Sequence, residues 1–149
     1  MKKYTRHMIE FISETQGLLY SAVASQGVDM QEFSRLYMHS EFCKRSMDQT
    51  SRFQYDDDDV ILFYLQKEIG DTLPKYGGSK SFDDNVAYWI GWTYRYLFYC
   101  CDCSSQEIAD KIDFAKMVSY YPGMHTIDED NAAEIMLHDA DIKYVPIDD

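Results

Sequence analysis

A chain of 149 residues that is 46% apolar and 15% aromatic has material for one hydrophobic core, and a domain of this size buries roughly two thirds of the surface its unfolded chain exposes. These fractions exclude a disordered acidic chain despite a formal net charge of −12. Residues 1–54 carry seven Lys or Arg against six Asp or Glu and residues 55–149 carry seven against twenty, so the acidic field of the later part favours basic protein partners and disfavours direct nucleic-acid binding unless the early basic residues gather on one face.

The chain opens on Met1-Lys2-Lys3, but Glu10 and Glu14 interrupt the apolar stretch that a secretory signal requires. No apolar run exceeds the length of Val60–Leu65, far short of the roughly 18 residues that mark a membrane span. Of the four cysteines, Cys100, Cys101 and Cys103 crowd together with Cys43 far away, a poor disulfide framework. The expectation is a cytoplasmic protein without membrane insertion.

Tyr4, Met8, Phe11, Ile12, Leu19 and Val23 recur at helical spacing, which predicts an amphipathic helix over residues 3–25 ending near Gly27. Asp29 with Glu32 three residues later caps a second helix that turns Phe33, Leu36 and Tyr37 inward. A short helix follows over Ser40–Met47, and Gln49–Tyr55 reads as a polar connection. Asp56 to Asp59 directly precede Val60–Leu65, where carboxylates stabilise the positive end of a helix, and Gly70 supplies a stop. The run lacks the spaced ligands, central Gly and terminal Glu of a calcium loop. Leu73–Lys80 carries the strongest turn signals in the chain.

From Asp83 to about Asp102, one stripe holds Val86, Ile90, Thr93 and Leu97 and a second holds Trp89, Trp92, Tyr96 and Tyr99, so apolar surface covers most of the circumference. Such a helix belongs at the centre of a bundle. Gly91 lowers helix propensity by about 1 kcal/mol relative to Ala, which points to a close helix crossing. Arg95, on a third stripe with Tyr88, is expected either to be a partly buried strut, stacked on tyrosine rings or paired with a carboxylate, or to serve as a binding hook. Ser104 with Glu107 opens a short helix through Ile108 and Ile112, and Asp113 opens another with Phe114, Met117, Val118 and Tyr121 facing inward. Tyr121–Thr126 reads as a turn, Asp128 or Thr126 as the cap of a last helix, and residues 142–147 as a short strand or extended arm. The fold expected is all-α, one domain over 1–149, with six to eight helices around the aromatic-rich one and little or no sheet.

Catalytic signatures are missing: there is no nucleophile elbow, P-loop or dinucleotide fingerprint. The cysteine cluster lacks the second ligand pair of a structural zinc site, so neither metal nor other cofactor is implied. No histidine forms a helical metal-binding pair, and His125, after a Pro-Gly dipeptide, is the one best placed for acid–base work. Tyr88-Trp89-Ile90-Gly91-Trp92-Thr93-Tyr94-Arg95-Tyr96, Ser105-Gln106-Glu107-Ile108 and Tyr121-Pro122-Gly123-Met124-His125-Thr126-Ile127-Asp128 together resemble a group of small helical bacterial proteins from toxin–antitoxin-like loci, some beside ADP-ribosyltransferase-type toxins. That resemblance, confined to residues 88–128, implies an antitoxin-like or regulatory role and brings no catalytic residues. The partner-binding candidates are Tyr88, Trp92, Arg95, Tyr96, His125 and Asp128, with a basic toxin as the expected kind of partner. Two alternatives stay open: a small enzyme built on Arg95, tyrosines and His125, and an acidic DNA-mimicking inhibitor.

Overall fold

Thr5 starts the first helix by accepting the Met8 N–H on its hydroxyl, and α1 runs Arg6–Ser25 until Gly27, at φ +75°, turns the chain. In the computed structural model, which describes residues 4–70, 73 and 81–148, seven α-helices form an all-α bundle, and no strand occurs among the described residues. Asp29 caps α2 (Met30–Met38) through the Glu32 N–H. The Ser40–Met47 stretch becomes a π-helical turn over Cys43–Met47. The expected connection after it contains a 3-10 turn, Arg52–Tyr55, held by a reciprocal Ser51–Gln54 capping box. Gln54 alone of this connection is wholly buried, and its amide donates to the Met47 carbonyl (3.0 Å), so a mostly exposed polar segment sends one side chain into the core.

The helix α3 (Asp58–Ile69) starts behind Asp57 and stops at Gly70, φ +94°, as the acidic run and the glycine predict. Of the turn-rich stretch after it, Pro74–Lys80 lies outside the described residues, while Leu73 is buried. Asp83 accepts the N–H groups of Asn85 and Val86 to open α4 (Asp84–Tyr99), Ser104 and Glu107 cap each other at α5 (Ser105–Lys111), and Asp113 caps α6 (Phe114–Met124). The turn expected at Tyr121–Thr126 is displaced, because α6 continues through Pro122 to Met124. Pro122 forfeits only the bond to the Val118 carbonyl, and Val118, expected inside, is 37% exposed. Asp128 caps the last helix, α7 (Glu129–Asp139), and residues 142–148 carry no helix or strand and are tied down by the Val145 N–H on the Cys100 carbonyl (2.7 Å).

The axis of the bundle is the crossing of α1 and α4. A Cβ on Gly91 would stand 2.7 Å from the Gln16 carbonyl oxygen and 2.7 Å from the Tyr20 ring, and one on Gly17 would stand 2.9 Å from the Tyr88 ring. Both helices therefore approach through glycine, the close crossing that Gly91 predicts. Ile12, Leu19 and Tyr20 of α1 and Ile90, Tyr94 and Leu97 of α4 are buried at this seam, whereas Phe11, expected on the buried stripe, is 47% exposed and tilts against Tyr55. No helix among the described residues is long and apolar enough to cross a membrane.

Candidate functional site: an aromatic cleft between α4, α6 and α7

Along the face of α4 turned to α6 and α7, residues at spacings of three and four are aromatic or β-branched, so Trp89, Trp92, Thr93 and Tyr96 project in one direction. The last turn of α6 and the first turn of α7 pass over that face, and a cleft of about 160 Å³ remains between them. Met124 and His125 close one side, and Ile127, Glu129 and Ala132 close the other. Two sets of packed rings shape it. Trp92 stacks on Tyr96 with centroids 4.9 Å apart; Trp89 meets Tyr121 edge-on at 5.5 Å, and Tyr121 in turn lies parallel to the His125 ring at 4.0 Å.

Hydrogen bonds hold these rings in place. His125 Nδ1 lies 2.5 Å from the Tyr121 carbonyl, which can only accept, so this nitrogen carries the proton and Nε2 is turned elsewhere. The Tyr96 hydroxyl accepts from Arg6 Nη1 (2.8 Å) and donates to Asp130 Oδ1 (2.5 Å). Burial, with the Asp130 carboxylate adding to it, raises the Tyr96 phenol well above its ordinary value, so this hydroxyl stays protonated and acts as a fixed strut. The carboxylates on the α7 side divide their work. Asp128 is taken by the Asn131 backbone (2.9 Å) and side-chain (2.6 Å) N–H groups, and Asp130 by Tyr96 and Arg6 (3.2 Å). Glu129 lines the cleft and has no ion-pair or hydrogen-bond partner among the described residues.

Of the six residues singled out from sequence, the structure brings Trp92, Tyr96 and His125 into this cleft. Asp128 stands beside it as the α7 cap, and Tyr88 packs on α1 over Gly17. Arg95 is elsewhere. It is 0% exposed, and its guanidinium is the hub of a core network. Its Nε and Nη2 donate to Gln16 Oε1 (3.1 and 3.0 Å), Nη1 to Met47 O (3.2 Å) and Asp48 Oδ1 (2.9 Å), and Nη2 also to Ser105 Oγ (3.0 Å) and Cys43 Sγ (3.4 Å). Every N–H of the group is used, which removes Arg95 as a surface hook. Trp89 and Glu129 are absent from the sequence-derived set, although the spacing of Trp89 with Trp92 and Tyr96 carries the signal for the first.

A second depression, about 340 Å³, lies between α2, α5 and α6 and contains His39. There the ring is spent on structure, with Nδ1 at 2.7 Å from the Arg35 carbonyl and Nε2 at 2.7 Å from Asp110 Oδ1. The cysteines are free thiols, and among the described residues no group of three or more His, Cys, Asp or Glu is arranged to hold a metal ion. No protein family, curated protein or solved structure matches the chain. Fold and site alone therefore define the class: an all-α protein with an aromatic cleft flanked by one uncommitted carboxylate.

Proposed function

We propose that this chain is a non-enzymatic protein-binding protein of the antitoxin-like or regulatory-inhibitor kind, which holds a basic partner in the cytoplasm. The observation that carries the reading is the convergence of Trp92, Tyr96 and His125 in one cleft whose lining, among the described residues, includes Glu129 and neither lysine nor arginine. Rigid aromatic rings anchor a partner at low entropic cost, and a net charge of −12 steers a basic one toward them. The free thiols suit a reducing compartment. An enzyme built jointly on Arg95 and His125 has less support, since one is a saturated core group and the other sits on an exposed helix end.

Affinity capture at low salt with the intact protein and with Trp92→Ala tests this. The expected result is a basic protein retained by the parent, lost by a folded Trp92→Ala variant, and associating more slowly as salt rises and screens charges beyond about 8–10 Å. Capture that is indifferent to Trp92, or no captured protein at all, overturns the proposal.

A further inference from the structure

Resting on that reading and going one step beyond it, we propose that the α4–α6–α7 cleft receives the guanidinium of an arginine side chain from a basic polypeptide. Three observations converge. The cleft is lined by the indoles of Trp89 and Trp92, with Tyr96 stacked behind Trp92 and His125 beside them, and tryptophan faces attract a cation most strongly, a guanidinium above all because it is planar and weakly hydrated. Glu129 is the carboxylate in the lining, and unlike its neighbours Asp128 and Asp130 it is engaged with no described residue, so it is available to a forked donor. The volume, about 160 Å³, suits a single side-chain head and is too small for a helix or strand.

The same chemistry already operates inside this molecule. Arg95 lies over the Phe98 ring at 4.9 Å and Arg52 over Phe53 at 4.5 Å, each close to a carboxylate, Asp48 and Asp56 respectively. The cleft presents the ring-and-carboxylate half of that arrangement with the arginine missing from its lining. Charge complementarity thus selects a cation, and the flat rings select guanidinium over ammonium.

The two tryptophans of the chain both line the cleft, so tryptophan fluorescence reports on it directly. An acetylated Arg-Gly-Gly repeat peptide titrated into the full chain at low salt is expected to change that fluorescence saturably. The same peptide with citrulline, a neutral isostere, in place of arginine is expected to bind about tenfold more weakly or worse, and Glu129→Gln is expected to lower affinity for the arginine peptide to a similar degree while lowering the thermal midpoint by no more than about 4 °C, the loss of one first-turn carboxylate from α7. Equal binding of the two peptides, unchanged affinity in Glu129→Gln, or no saturable response to the arginine peptide overturns the inference. If a partner is nevertheless captured in a Trp92-dependent way, only the arginine assignment fails and the protein-binding reading survives.

Discussion

At the scale of single residues, Arg95 and Gly91 show how one face of α4 is specified by what it meets. Removing the Arg95 guanidinium leaves Asp48, whose side chain is 9% exposed, without its cationic partner, and leaves Gln16 Oε1 with only the Tyr37 hydroxyl at 2.7 Å. Breaking a buried pair from one side costs about 3–5 kcal/mol, so Arg95→Ala is expected to lower the urea midpoint sharply, and an unchanged midpoint would refute the strut. Gly91→Ala gains up to about 1 kcal/mol of helix propensity, yet its Cβ meets an immovable backbone oxygen, and overpacking of that kind costs about 1–3 kcal/mol. The net expectation is a lower melting temperature. Gly123→Ala makes the opposite forecast, because a Cβ there meets nothing within 4 Å and the residue is helical, so it should gain about 0.5–1 kcal/mol. Thermal melts of the two variants side by side test whether space, rather than glycine itself, governs the sign.

At the scale of elements, the start of nearly every helix is written locally. Thr5, Asp29, Asp83, Ser104, Asp113 and Asp128 each accept a backbone N–H from the first turn of the helix they precede. The Ser104 cap is doubled, with Ser104 Oγ taking the Glu107 N–H (3.1 Å) and the Glu107 carboxylate taking the Ser104 N–H (2.8 Å). Ser104→Ala should therefore cost about 1 kcal/mol, read as a fall of about 2–4 °C in melting temperature, with the cleft fluorescence unaltered. Junctions between elements obey no such local rule. Glu68, late in α3, caps the π turn from 27 residues away by accepting the Glu41 N–H (2.6 Å) and the Phe42 N–H (2.8 Å), a role that the helical periodicity of α3 does not announce.

At the scale of the whole molecule, burial sets the chemistry of the cysteines. Burial pushes the Cys100 and Cys101 thiols up to about 12 and raises Cys43 as well, despite the adjacent Arg95 guanidinium, which acts the other way. At pH 8 these three are almost entirely thiols, and Cys43 and Cys100 are also inaccessible. Iodoacetamide on the native protein is accordingly expected to label Cys103 first, with Cys43 and Cys100 following only on denaturation, as read by peptide mass spectrometry. Early labelling of Cys43 would show that the core around Arg95 opens far more readily than its packing implies. The charge distribution also acts globally: Arg6 pairs with Asp130, Arg35 with Glu32, Arg45 with Glu41 and Arg52 with Asp56, so carboxylates offset four of the basic residues of the first third.

The sequence by itself determined the all-α class, the central place of α4 and the starts of the helices that Asp29, Asp83, Ser104 and Asp113 cap, because capping residues act within one turn and helical periodicity repeats every few positions, whereas the cap of α7 stayed open between Thr126 and Asp128. It also marked Gly91 as a crossing, since a helix tolerates glycine poorly without a packing reason. What it could not decide was which polar residues lie inside. Gln16 and Asp48, the acceptors that satisfy Arg95, are 79 and 47 positions from it, and Gln54 is buried in a segment that reads as a connection. Periodicity set Arg95 on a different stripe of α4 from Trp92 and Tyr96, but it could not say which stripe meets the core, and only the position of α1 on one face and of α6 and α7 on another assigns the first to the core and the others to the cleft. The pairing of Glu129 with the rings likewise depends on α7 folding back over α4. Tertiary structure decided these points because burial and long-range hydrogen bonding are properties of facing surfaces, and neither surface carries the identity of its partner in its own local sequence.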